Sequence, residues 1–299
     1  MLTTRKKDCS IIITTYNGAK WIKDCIASCL KSEYPVHIIV VDNNSTDNTL
    51  ELLPEGVHLI KLSQNLGFGR ANNIGMSEAF ERFDSKYVFL LNQDAYIKGN
   101  TISELVKCHE QNPGLGLISP LHYGQGWLEY DYRFKIYMKR AKPQENGIHH
   151  SKFVNAAAWF MPKETVLKNG GFDPIFFHTG EDDNFCQRLR SHKIQIGITK
   201  KTEILHDRQD RVKPKTPPHL KVANRAKIII FNPDMNGIMK FFHLVPLAFF
   251  YLVNLTLPEY RTKKKRSKDR QEFKAILDYH KKSKQLYKTD GIFLKQDYP

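Results

Sequence analysis

The chain lacks the cysteine pattern that would staple a small secreted domain or cage a metal. Its five cysteines, Cys9, Cys25, Cys29, Cys108 and Cys186, are odd in number and include no CxxC pair. That argues against both a disulfide framework and a thiolate zinc site, and it favours a reducing, cytoplasmic setting. An apolar leader is missing as well. Residues 1–8 are polar and basic and run straight into a strand pattern, so the sequence predicts a chain that is not exported. There is no internal repeat, and no Gly-rich basic loop follows the first strand, which disfavours a nucleotidyltransferase. The one long apolar segment, residues 241–257, is broken by His243, Pro246 and Asn254 and falls short of the roughly 20 residues that a spanning helix needs.

Negative charge is also in short supply, with 31 Asp and Glu against 46 Lys and Arg. The imbalance is local: residues 211–299 carry 20 Lys and Arg against 7 acids, which is 13 of the net 15 positive charges. Directly after the apolar segment come Arg261, Lys263, Lys264, Lys265, Arg266 and Lys268. An apolar helix beside a polybasic cluster suits in-plane insertion into a cytoplasmic leaflet, where each basic residue near anionic lipid adds about 1 kcal/mol. The sequence therefore predicts peripheral attachment to an anionic membrane surface on the inner face, ahead of a buried helix or a homo-oligomer contact. Nucleic acid comes last, because no binding motif accompanies the charge.

What is present is an alternation of strand and helix patterns in a chain of 299 residues, long enough for one large domain and an appendage. Short apolar runs at 9–14, 37–41, 58–62 and 87–91 read as buried strands, and helical periodicity at 19–31, 71–83, 102–111 and 181–192 supplies the crossovers. Such repeated crossovers predict an α/β fold with a mostly parallel sheet and helices on both faces. Residues 133–139 and 153–161 read as further strands, as do 194–198 and 203–205. A Pro-rich stretch at 213–218 marks the best boundary, giving a catalytic domain over 1–212 and a helical, basic region over 213–299.

Three loops follow parallel strands and converge on the sheet edge where open α/β sheets bind ligands. They carry Thr15-Tyr16-Asn17-Gly18, Asp42-Asn43-Asn44-Ser45 and Asn92-Gln93-Asp94. Each loop alone reads equally as turn chemistry, and Ser45 or Asp47 as a helix cap. Asn65-Leu-Gly-Phe-Gly-Arg70 offers two glycines and a cation before a helix, without the P-loop or GxGxxG spacing. Glu181-Asp182-Asp183 opens another helix, where carboxylates suit the dipole, yet three adjacent acids repel and raise a pKa toward use as a base. His206, at a strand end, is either a core histidine or a neutral ligand for a divalent metal.

Taken in order, these blocks resemble the family 2 glycosyltransferases of GT-A fold, most closely the rhamnosyltransferase-like branch. The resemblance runs from Ser10-Ile-Ile-Ile-Thr-Thr-Tyr-Asn17 through Ile39-Val-Val-Asp-Asn-Asn-Ser45, Asn65 to Asn73, and Phe89-Leu-Leu-Asn-Gln-Asp94, to Gly170-Gly-Phe-Asp173 and Glu181-Asp-Asp183. It implies inverting transfer from a UDP- or dTDP-linked sugar to a glycan or lipid-linked acceptor hydroxyl. By similarity, Thr15, Tyr16, Asn17, Asp42, Asn44, Arg70 and Asn92 border the nucleotide and diphosphate. Asp94, with His206, holds Mg²⁺ or Mn²⁺; Asp182, or as the alternative Asp183, is the base, and Glu181 orients it or the acceptor. Two departures stand out: Asn92 replaces the first acid of the usual Asp-x-Asp, and Gln93 stands where many relatives carry proline. The loss of an acid at 92 motivates a competing expectation, a GT-A nucleotide-binding or scaffold protein with impaired catalysis.

Overall fold

The computed structural model describes residues 6–144, 146–208, 218–255 and 263–295. The first half builds as the periodicity predicts. In order come β1 (Cys9–Thr15), α1 (Ile22–Leu30), β2 (Val36–Asp42), β3 (His58–Lys61), α2 (Phe68–Glu81), β4 (Tyr87–Asn92), β5 (Ala95–Ile97) and α3 (Thr101–Gln111). Next are β6 (Leu115–Tyr123), α4 (Tyr132–Arg140), β7 (Lys142–Pro143), β8 (Ile148–Ser151), β9 (Ala158–Pro162), α5 (Lys163–Asn169), α6 (Glu181–Ser191) and β10 (Gln195–His206). One mixed sheet orders these strands β3-β2-β1-β4-β9-β6-β10-β8-β7, with β5 against β10. Strands β3, β2, β1 and β4 run parallel, β9 enters antiparallel to β4, and β6 and β10 are parallel again.

Strand alternation divides the core in two. Ile11, Ile13, Phe89 and Leu91 face α1 and α3, where Ile22, Ile26, Ile102 and Leu105 are buried. Ile12, Val88 and Leu90 face α2 and α6, where Met76, Phe80, Phe185 and Leu189 are buried. Both faces are covered, so the strands read as unbroken apolar runs instead of alternating ones. α2 lies so close that a Cβ on Gly75 would meet Ile12 at 2.5 Å.

Three sequence expectations change. Residues 133–139 form α4 and not a strand: the Asp131 carboxylate accepts from the Arg133 and Phe134 amides, and Phe134, Tyr137 and Met138 then share the inward face. Strand β6 carries Gly116 and Pro120, which hid it. The predicted pair 194–198 and 203–205 is one bulged strand, β10.

The C-terminal region is helical: α7 (Pro218–Ile230), α8 (Gly237–Leu255) and α9 (Lys263–Leu286). The proposed boundary at residues 213–217 and the segment 256–262, including Arg261, lie outside the described residues. Phe231 and Ile276 pack on Phe176 of the first region. A one-turn 3₁₀ segment, Ile292–Leu294, returns to the sheet domain, with the Phe293 amide donating to the Gly170 carbonyl at 2.8 Å and Leu294 entering the α2/α6 core. No helix among the described residues is long and apolar enough to cross a membrane.

Candidate active site

Parallel register brings the first two loops and the Asn92–Asp94 corner to one level. Thr15 pairs with Asp42 across β1 and β2, and Thr14 with Asn92 across β1 and β4. The loops then lock together. Ser45 Oγ accepts from the Asn17 amide at 2.9 Å, and Asn17 Oδ1 accepts from the Thr46 amide at 2.8 Å. Asn17 and Asn44 sit at φ 47° and 67°, left-handed positions that asparagine tolerates better than most side chains. The buried Asp42 carboxylate accepts from the Ser45 amide, and Asp47 caps the turn at Thr49. Asn17 and Asp42 therefore hold the loops, while Tyr16 and Asn44 are exposed at the edge.

Gln93 ties this edge to the next strand. Its Oε1 accepts from Thr15 Oγ1 at 2.6 Å and from the Tyr16 amide at 3.0 Å, and its Nε2 donates to the Tyr16 carbonyl. Gly18 leaves room for it, since a Cβ there would lie 2.3 Å from Gln93 Oε1. On the other side, Asn65 Oδ1 accepts from Asn43 Nδ2 at 3.0 Å and from the Gly67 amide. Arg70, one turn on, donates to the Pro174 carbonyl at 3.4 Å. Its charge thus meets the 174–177 loop.

Asp94 and His206, 112 residues apart, meet through the β5–β10 pairing of Ala95 with His206. Asp94 Oδ1 lies 3.5 Å from His206 Nε2, and Asn92 Nδ2 lies 3.4 Å from the same nitrogen. Both Asp94 and His206 are buried. Two ligands about 2.1–2.2 Å from one cation at right angles stand about 3 Å apart, so this pair suits a shared ion with little movement. No group of three or more His, Cys, Asp or Glu among the described residues forms a metal cage. Asp94 and His206 could supply two ligands to a divalent ion, the others coming from diphosphate and water. His206 Nδ1 lies 4.0 Å from Asp131 Oδ2, which also binds Arg208 Nε at 2.6 Å. At 4.0 Å the Asp131 carboxylate is a charge neighbour of the imidazole and not a hydrogen-bond partner.

The acidic cluster opens α6. Gly180 before it sits at φ 98°, where a Cβ would also meet Ile228 at 2.7 Å. Asp182 Oδ2 accepts from the Ala156 amide at 3.0 Å. Asp182 Oδ1 and Glu181 Oε2 are shielded from solvent and have no hydrogen-bond partner among the described residues. Burial pushes the Glu181 carboxyl up to about 7. It also raises Asp182 well above the usual carboxylate range, with the Glu181 charge adding to it and Arg208 opposing it. Asp183 is raised by burial as well. A Cβ on Gly69 would lie 3.7 Å from Glu181 Cβ, so α2 and α6 begin side by side.

Gln93, Asp131 and Arg208 were not singled out from the sequence. Gln93 was visible only as a departure from proline, and Arg208 had the faint signal of a cation two residues beyond His206.

Residues 10–169 match the model of glycosyl transferase family 2. Among curated proteins, the chain is 26% identical over 253 residues to the low-salt glycan biosynthesis hexosyltransferase Agl10 of Haloferax volcanii, covering 79% of this chain and 80% of Agl10. It is 25% identical over 205 residues to the dTDP-rhamnosyl transferase RfbF of Shigella flexneri, covering 65% and 67%. Among solved structures, S. aureus TarS 1-349 in complex with UDP-GlcNAc aligns with a TM-score of 0.58 at 18% identity over 78% of this chain and 69% of that one. GalNAc-T7 with UDP, GalNAc and Mn²⁺ aligns at 0.60 and 14% identity, over 76% and 48%. These likenesses show the GT-A fold, and the family match, covering more than half of the chain, shows that it belongs to glycosyl transferase family 2.

Proposed function

We propose that the protein is an inverting, metal-assisted glycosyltransferase that moves a hexosyl or deoxyhexosyl group from a UDP- or dTDP-linked donor to an acceptor hydroxyl in cell-surface polysaccharide or lipid-linked glycan assembly. The carrying observation is Asp182, with one carboxylate oxygen anchored by the Ala156 amide and the other shielded and without a partner among the described residues. Such an oxygen can accept the acceptor's hydroxyl proton. As it does, the hydroxyl oxygen bonds to the anomeric carbon from the face opposite the diphosphate. The carbon–oxygen bond to the diphosphate breaks with its electron pair, inverting the centre. Glu181 holds Asp182 in a high-pKa environment and orients it. Asp94 and His206, with Asn92 beside them, would hold Mg²⁺ or Mn²⁺, which neutralises the leaving diphosphate when bound. Thr15, Tyr16, Asn17, Asp42 and Asn44 border the nucleotide, and Arg70 adds positive charge nearby.

The dTDP-rhamnosyl transferase and the UDP-GlcNAc complex among the relatives support a nucleoside diphosphate donor. Along α8, Ile238, Phe241, Phe242, Val245 and Phe249 form one exposed apolar stripe at i, i+3, i+4, i+7 and i+11. With seven Lys and Arg following in residues 256–270, this supports work at an anionic cytoplasmic membrane face by the 213–299 region. Incubation with a panel of UDP- and dTDP-sugars and Mn²⁺ tests the reading: one donor is turned over by the native chain and not by Asp182→Asn. Tight nucleotide binding with no turnover of any donor would instead favour an impaired, binding-only protein, a reading motivated by Asn92 beside His206.

A further inference from the structure

The helix that carries the acidic cluster is gripped from behind by the far end of the chain. Asp173, buried at the end of the Gly170-Gly171-Phe172-Asp173 turn, accepts from Tyr279 OH at 2.7 Å, Tyr287 OH at 2.6 Å and the Ile175 amide at 3.0 Å. Tyr287 OH in turn accepts from Asn184 Nδ2 at 3.2 Å. Asn184 lies in the first turn of α6, two residues beyond Asp182, and its Nδ2 also reaches the Phe231 carbonyl at 3.2 Å. Its Oδ1 accepts from Arg188 Nε at 2.8 Å.

Arg188 extends the same chain of contacts. It is fully buried, donates to the Asn169 and Gly171 carbonyls, and lies 5.2 Å from the Tyr287 ring and 5.3 Å from the Phe293 ring. The final segment is pinned in turn by the Gly291 amide on the Leu167 carbonyl at 2.7 Å and by Phe293 on Gly170. Two elements distant in sequence, residues 169–173 and 279–294, therefore close on one helical turn. Nothing in the packing of the main core requires a tyrosine hydroxyl at 287, where phenylalanine would fill the same space. What the hydroxyl adds is a directed link between a fixed carboxylate and Asn184.

Resting on the assignment of Asp182 as base, we propose that Tyr287, with Asp173 and Asn184, is a positioning group that fixes the first turn of α6 and so aims the Asp182 carboxylate at the acceptor. These residues touch no substrate; they act through the helix. The hydroxyl relays geometry from the C-terminal segment to the base. The first turn is also held by the Ala156 amide on Asp182, by the Asn184 amide on the Gly180 carbonyl and by the Phe231 and Arg188 contacts of Asn184, while the Glu181 and Asp183 charges push on it from within the helix. Tyr137 of α4, with Arg133 beside it, Cys186 one turn on in α6 and Arg208 beyond β10 complete the charged and titratable surroundings of Asp182.

The test is Tyr287→Phe in the full chain, with Ile276→Ala as a control that weakens the apolar packing of α9 while keeping the Tyr279, Tyr287, Asp173 and Asn184 side chains. Three readouts are taken: donor turnover with the sugar nucleotide selected by the panel, UDP or dTDP affinity with Mn²⁺ by calorimetry, and amide hydrogen exchange of residues 181–184. Tyr287→Phe is expected to lower kcat about tenfold, a modest misalignment on the scale where a 1 Å displacement costs about a hundredfold. Nucleotide affinity should stay within about twofold, and exchange in the first turn of α6 should rise at least about tenfold. Its acid limb should also move to lower pH, because a loosened turn hydrates Asp182. Ile276→Ala should lower Tm while leaving kcat and the acid limb in place. Unchanged kcat and exchange in Tyr287→Phe, or an equal kcat loss in Ile276→Ala, overturns the positioning role. If Asp182→Asn retains turnover, the base assignment itself fails, and that result is separable from either outcome.

Discussion

Replacing Glu181 by Gln should move the acid limb of the rate profile downward. Asp182 must be ionised to accept a proton, and its carboxyl is raised first by burial and then by the neighbouring Glu181 charge. Gln keeps the size and removes the charge. With that charge gone, Asp182 keeps only burial and the Asp183 charge raising it, against the Ala156 amide and Arg208, which lower it. The acid limb of kcat should therefore shift to lower pH, measured as nucleoside diphosphate release between pH 5 and 9 at saturating donor. Plateau height can fall as well, because Glu181 orients its neighbour, so the position of the limb is the readout. A limb that stays put or moves up refutes the coupling between the two carboxylates. A second signature comes from stability. Glu181 is raised from 4.5 to about 7 in the folded chain, so the folded state holds its proton more tightly than the unfolded one. Its contribution is full below about pH 4.5 and is lost as pH rises toward 7, a swing of at most about 3 kcal/mol. In urea titrations, Glu181→Gln should flatten that decline relative to the native chain.

Other perturbations probe the rest of the edge. Asp94→Asn should abolish the tightening of UDP or dTDP by Mn²⁺, a loss of about tenfold or more by calorimetry, while metal-free binding stays near native. Arg188→Leu leaves the buried Asn169 and Gly171 carbonyls and Asn184 without their donor, and should cost about 3–5 kcal/mol in chemical denaturation. Changing Phe241, Phe242 and Phe249 together to Ser should weaken binding to anionic vesicles by up to about a thousandfold, at about 1.5 kcal/mol per ring. Unaltered vesicle binding would remove α8 from the membrane reading.

The parallel half of the sheet was legible because its strands are buried on both faces and its helices repeat at 3.6 residues, as at Ile22, Ile26 and Met76, Phe80. Local chemistry misled where two periods coincide. Residues 133–139 alternate well enough to suggest a strand, and only the Asp131 cap and the packing of Phe134 decide for a helix. The candidate site was legible as an ordered series of loops, but its connections were not. Asp94 meets His206 only through a three-residue strand against the end of β10. Gln93 acquires its partners only when loop 15–18 folds over it. The grip of Tyr287 on Asp173 spans 114 residues and leaves no periodic trace in either segment.

The most direct test of the central claim is Asp182→Asn in the full chain, comparing turnover of the selected sugar nucleotide with binding of UDP or dTDP in Mn²⁺. Asparagine preserves the contact with the Ala156 amide but cannot take up the acceptor proton at neutral pH. The account predicts transfer lowered by at least about a thousandfold with nucleotide affinity within about twofold of native. Transfer within about tenfold of native in Asp182→Asn would contradict it.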